Sequence, residues 1–299
     1  MTSPSSLLAK LKNESIRREI PNQQMIVLFL QEEFSRRLGK SNYVNQLILK
    51  GGFLLFSLGA GDTRATMDSD YLMKNLANKK ENVKAVIQEI IAIDNDGDIT
   101  FEWMDMEIIT EQNDYHGFRI KLMGIIGRTR TPIFVDLGVG DIIVPESEFI
   151  RLETIIDGFQ EPEIRSYSME TIVAEKLDAI LYLMEASSRM KDFYDLYYLA
   201  LSKNFNGAIL KEAIYTTFKN RGHLDLIKNI YEINRFKKIE NTKNMWNRFV
   251  EKEIKVEIEF DQVIDKMIEL TLPICEAIEN NEEFNQLWSF KKQSYVRAE

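Results

Sequence analysis

Apolar residues recur at helical spacing from Asn22 to Leu38. Met25, Leu28, Phe29 and Leu38 form a stripe that Ile26, Val27 and Leu30 widen, which predicts a buried amphipathic helix. Val44 to Leu49 is a second apolar segment, leading into Gly51-Gly52, and Phe53 to Leu58 reads as another short buried element. The glycines and aspartate of Gly59-Ala60-Gly61-Asp62 predict a loop, and Thr66 to Met73 a strand. Val83, Val86, Ile87, Ile90 and Ile91 line one side of a helix over 80–93, and Asp94 to Asp98 reads as a turn, having no glutamate where a calcium loop would close.

From Ile99 to Gly138 the period changes to two. Phe101 and Trp103 alternate, as do Phe118, Ile120 and Leu122, and again Ile133, Val135 and Leu137, with Arg128 to Pro132 separating the last two runs. This pattern predicts an antiparallel meander added to the strand over 66–73. From Ser168 onward the period is helical: Ser168 is placed to cap a helix to about Ser187, and further helices are expected over 192–202, 206–220, 223–236, 241–252 and 258–279. The fold class expected is α+β, with an α/β domain over 1–150, a helical domain over 151–299, and a seam near 145–167 that contains Pro145 and Pro162.

Composition narrows the class. Hydrophobic residues are 44% and charged residues 28% of 299, as in a soluble globule. A net charge of -9 argues against a protein coated in positive potential for duplex DNA. Arg17-Arg18, Arg36-Arg37, Lys79-Lys80 and Arg128-Thr-Arg130 are candidates for a local basic patch, each more simply read as a solvated surface pair. With Cys275 as the single cysteine and two histidines, His116 and His223, neither a disulfide nor a zinc site is expected. Neither histidine has an acid–base partner visible in the sequence. No secretory leader and no membrane-length apolar run is evident, so a cytoplasmic protein without membrane contact is expected.

The candidate chemistry centres on Asp68-Ser69-Asp70. Strand side chains alternate faces, so two acids two apart point the same way and present hard oxygen ligands from one rigid edge, which suits Mg2+. Ser69 then faces the opposite side, toward the core, where its hydroxyl needs a partner. Asp136 interrupts the apolar run Ile133 to Leu137 and is the best candidate for a third carboxylate of a two-metal site, with Asp141 second. Gly51-Gly52 offers bare backbone N–H groups to a triphosphate. On the helical half, Lys176 and Arg189 could contact phosphate and Asp192 could orient a lysine or the substrate. The simpler reading there is an ion network of Lys176, Arg189, Asp192 and Asp195. Tyr194, Tyr197, Tyr198, Trp246 and Trp288 could stack a base but are expected in the core.

The order Leu49-Lys50-Gly51-Gly52, Arg64-x-Thr66-x-Asp68-x-Asp70, Ala174-Glu-Lys176-Leu and Arg189-x-Lys-Asp192-x-x-Asp195-Leu resembles the AbiEii/AbiGii toxin family, nearer to the AbiGii branch, over roughly residues 45 to 200. The resemblance implies a polymerase-β-like nucleotidyltransferase core with a mixed or antiparallel sheet, and a helical C-terminal domain that completes the active-site cleft. It implies Mg2+-dependent transfer of a nucleotide from an NTP to RNA, such as a tRNA end, or to a protein, growth arrest in phage defence, and restraint by a cognate antitoxin. Asp68 and Asp70 match the metal-binding pair, Lys176 the lysine of the Ala-Glu-Lys helix, and Asp192 the acid of the Lys-Asp-x-x-Asp motif. Lys50, Gly51, Gly52, Arg64 and Arg189 are the nucleotide-binding candidates; Asp136 has no motif match and rests on chemistry alone. Two features depart from the family pattern: fifteen residues lie between Gly52 and Asp68, with glycine where serine is usual, and Ser69 replaces an aliphatic residue. Two other readings use the same residues: a catalytically silent protein acting through a partner interface, and a metal-dependent nuclease.

Overall fold

The computed structural model describes residues 3–59, 63–93, 99–110, 116–186 and 188–297. The loop expected at 59–62 and the turn at 94–98 fall largely or wholly outside them, as does Ser187. The described chain divides into two compact units, Met1–Asp141 with Ser147–Tyr167, and Ile142–Glu146 with Ser168–Glu299.

The first unit is built on a seven-stranded mixed sheet. Its strands are β1 (Leu47–Lys50), β2 (Asp68–Met73), β3 (Ile99–Thr110), β4 (His116–Ile126), β5 (Thr129–Gly138), β6 (Glu148–Arg151) and β7 (Glu163–Ser166), in the spatial order β3-β4-β5-β2-β1-β7-β6. The expected meander is β3-β4-β5, antiparallel throughout, and β5 then lies parallel to the aspartate strand β2. Thr129 to Pro132, expected to separate the last two runs, belongs to β5. Ile126 pairs with Thr129 across a two-residue turn, in which Gly127 takes the positive φ (59°) that a tight hairpin requires.

The helices of this unit are α1 (Pro4–Arg17), α2 (Asn22–Lys40), α3 (Gly51–Leu58) and α4 (Lys80–Ala92). The first was not read from the pattern, although Ser3 accepts from the Ser6 N–H and a proline opens the helix, as at many N-termini. The apolar stripe of α2 is buried as expected, and so is its charged side. Arg36 and Arg37 are 3% and 4% exposed, so this pair is neither a surface patch nor a solvated pair. Arg36 pairs with Glu32 and Glu33 and donates to the Gln160 carbonyl at 2.7 Å. Arg37 donates to Glu33 at 2.9 Å and to the carbonyls of Ile91 at 2.5 Å and Ile99 at 2.7 Å. Burial pushes the Glu32 carboxyl up to about 7, against the pull of Arg36 and the Ile155 N–H that donates to it. Gly124 on β4 admits this helix: a Cβ there would lie 2.5 Å from a Leu30 methyl.

The second unit is mostly helical: α5 (Met169–Leu183), α6 (Met190–Ser202), α7 (Gly207–Asn220), α8 (Glu240–Phe249) and α9 (Phe260–Glu279). Phe193, Phe236, Phe260 and Trp246 meet in its core at ring separations of 5.4–5.9 Å, and Tyr194 and Trp288 are also buried. The helix expected over 223–236 is a 3-10 helix, Leu224–Lys238. Its buried residues Ile227, Ile230, Ile233 and Phe236 recur at intervals of three, which aligns them on one face at three residues per turn but not at 3.6. A small sheet, β8 (Phe205–Asn206), β9 (Gln286–Ser289) and β10 (Ser294–Arg297), was not expected in this half; Trp288 anchors it, donating to the Ala200 carbonyl at 2.8 Å.

Ser168 caps α5 as its position predicts, accepting from the Thr171 N–H at 3.2 Å and donating to the Val144 carbonyl at 2.7 Å. Ser168→Ala is expected to cost the second unit about 1–2 kcal/mol in urea denaturation, and a loss below about 0.3 kcal/mol would reject the cap.

Candidate active site

One row of charged residues crosses the middle of the first sheet. Lys50 on β1 is the register partner of Asp70 on β2, Asp70 of Asp136 on β5, and Asp136 of Arg119 on β4. Register partners share a face, so the strand pairing itself sets two acids between two cations. Asp68 lies two residues from Asp70 on that face, while Ser69 and Tyr71 between and after them are fully buried. Ser69 donates to the Phe134 carbonyl at 3.4 Å, which gives the expected inward hydroxyl its partner.

The chain around the acids is folded closely onto them. Lys50 is extended and Gly51 turns at φ 69°, a left-handed conformation, to open α3. A Cβ on Gly51 would lie 2.2 Å from an Asp70 carboxylate oxygen, so the carboxylate rests directly against glycine backbone. A Cβ on Gly52 would lie 3.2 Å from both the Arg64 guanidinium and the Thr66 hydroxyl. Thr66 also donates to Asp68 at 2.9 Å. Gly51, Gly52, Arg64, Thr66, Asp68 and Asp70 thus form one cluster despite the long stretch between the glycines and the acids. Its backbone N–H groups at the start of α3 and the Arg64 fork are suited to an anion.

Asp68 and Asp70 fit a divalent cation by donor chemistry: two hard carboxylates on one face, the first 30% exposed. Asp136 is different. Arg119 donates to both its oxygens, Nε to Oδ1 at 2.9 Å and Nη2 to Oδ2 at 2.5 Å. The proposed third metal ligand therefore has both oxygens engaged by an arginine. Among the described residues no group of three or more His, Cys, Asp or Glu is arranged to hold a metal. The bond to Asp136 pushes the Arg119 pKa further up, and the charges of Asp68 and Asp70 add to it. Asp141, the second choice, accepts from the Lys50 ammonium at 2.7 Å and from the Tyr167 hydroxyl at 3.4 Å.

The second unit holds the other motif residues. Lys176 on α5 donates to Asp192 at 3.1 Å and Asp195 at 2.6 Å, both on α6, and Arg189 pairs with Asp192 at 2.7 Å. Asp192 and Asp195 are 2% and 3% exposed, so the interhelical ion network is realised. His223, for which no partner was visible, has one: its Nδ1 lies 2.7 Å from Asp178, which also accepts from Arg221 at 3.0 Å. That contact spans more than forty residues of sequence and no local spacing announces it. Arg119 was missed in the same way, its signal being only that it lies on the alternating β4.

The mixed sheet, the glycine-opened helix and the acid strand beside it, followed by a helical unit, are the fold that the nucleotidyltransferase resemblance implies. The profile described as "Nucleotidyl transferase AbiEii toxin, Type IV TA system" matches residues 34–266, and the chain belongs to that family. Membership makes it a nucleotidyltransferase of a toxin–antitoxin system, with an NTP substrate and an antitoxin partner. Among solved structures, JHP933 from Helicobacter pylori is similar at 17% identity and TM-score 0.53 over 87% of this chain and 95% of that one. A candidate nucleotidyltransferase of H. pylori aligns at 16% identity and TM-score 0.49 over 86% and 98%. No curated protein matches the chain. Among the described residues no helix is long and apolar enough to cross a membrane.

Proposed function

We propose that this toxin transfers a nucleotide from an NTP to a macromolecular acceptor in a Mg2+-dependent reaction, with RNA, and a tRNA end in particular, as the acceptor, so as to arrest growth during phage attack. It acts in the cytoplasm under the restraint of its antitoxin and stands nearest the AbiGii branch. The observation that supports the reading is the close fit of Gly51 and Gly52 against Asp70, Arg64 and Thr66, which sets groups suited to an anion beside acids suited to a cation. A nuclease would need the acids but has no task for the glycines.

In the proposed chemistry Asp68 and Asp70 would hold Mg2+, which would supply neutralising charge to the triphosphate. The N–H groups opening α3 and the Arg64 guanidinium bind and orient the triphosphate. Thr66 fixes the Asp68 carboxylate through its hydrogen bond.

The test is a single gel. Purified protein is incubated with Mg2+, total cell extract and each of four labelled NTPs, then treated separately with RNase and protease. RNase-sensitive label from a preferred NTP is expected. Protease-sensitive label would move the acceptor to protein, and absence of label with all four would overturn the reading in favour of a silent binding protein.

A further inference from the structure

Arg119 is the unanticipated member of the acid row. Its bidentate bond to Asp136 occupies both carboxylate oxygens, and Nη2 lies 3.7 Å from Asp68 Oδ2. The guanidinium is packed near the Phe134 ring, 5.9 Å from its centroid, while its side chain remains 41% exposed. It therefore stands between Asp136 and Asp68 with one side held and one side open. The pairing also decides the charge of the site. The guanidinium sets one fixed positive charge among three carboxylates and leaves Asp136 no oxygen to offer a divalent ion.

We propose that Arg119 permanently fills the place of a second cation, so that the site takes one divalent ion, on Asp68 and Asp70, and Asp136 is a positioning residue for the arginine rather than a metal ligand. The open side of the guanidinium then faces the substrate and suits a phosphate oxygen, which a planar fork recognises with fixed geometry. This rests on the nucleotidyltransferase reading above.

Ion counting separates the two. The full chain is mixed with excess Mn2+ and a non-hydrolysable NTP analogue, separated from free ion and free nucleotide by rapid gel filtration, and its bound Mn2+ is released by acid and counted per chain by electron paramagnetic resonance. One ion bound per chain is expected for the natural sequence. Arg119→Gln frees Asp136 as a ligand and should raise the count to two, while Arg119→Lys, which keeps a charge in place, should leave it at one. Melting curves of both variants report their folding, and the natural chain tests the idea even if a variant unfolds. Two ions on the natural chain, or an unchanged count in a folded Arg119→Gln, would overturn the proposal and leave the transferase reading standing. No bound ion and no nucleotide binding by the natural chain would overturn both.

Discussion

Asp70→Asn is expected to lower nucleotidyl transfer by at least about a thousandfold, roughly 4 kcal/mol of lost transition-state stabilisation. The substitution keeps the shape of the side chain and removes its charge, so the melting temperature should hardly move. Gly51→Ala should come close to the same loss with every acid still present. Its backbone sits at φ 69°, which costs an L residue about 1–2 kcal/mol, and its new Cβ would lie 2.2 Å from the Asp70 oxygen. The carboxylate must move for the methyl to fit. Initial rates of labelling, measured beside thermal melting, check both variants. A folded Gly51→Ala protein with rates within threefold of the natural one would show that the contact between glycine and acid has no bearing on the reaction.

Lys176→Met is expected to destabilise the second unit by about 3–5 kcal/mol, because it leaves Asp192 and Asp195 buried without the ammonium that bridges them. For a unit of this size that is a fall of roughly 10 °C in melting temperature. Adding Asp192→Asn and Asp195→Asn to Lys176→Met removes the uncompensated charges and should recover much of the loss. The same comparison separates two roles for the lysine. If the triple variant regains its stability and its labelling activity, the network is structural. If it regains stability alone, Lys176 or Asp192 contributes to transfer as the family motif implies. A Lys176→Met protein that melts like the natural one would remove the premise.

What could be read from the residue pattern follows the range of the physics involved. Asp68 and Asp70 stood out because a period of two is a local property of a strand, and Asp136 because a lone acid in an apolar run needs a reason. The reason itself, Arg119, was hidden, since strand pairing joins residues that no spacing rule connects. The same holds for Asp178 and His223. The glycine pair was visible as a backbone feature, but its contact with Asp70 depends on β1 and β2 lying side by side. Helices with a stripe of several turns, α2 and α4, were legible to within a residue or two. The 3-10 segment was assigned the wrong period because its apolar residues at intervals of three also partly fit a helix of 3.6. The two- to four-residue strands β6 to β10 are too short for alternation to register, and pairing with neighbours defines them.

The two carbonyls held by Arg37 belong to Ile91, near the end of α4, and Ile99, at the start of β3. One buried side chain thus staples together the two ends between which the chain passes from helix to strand. The end of α4 and the start of β3 are thereby held to α2, through a cation whose charge Glu33 balances inside the core.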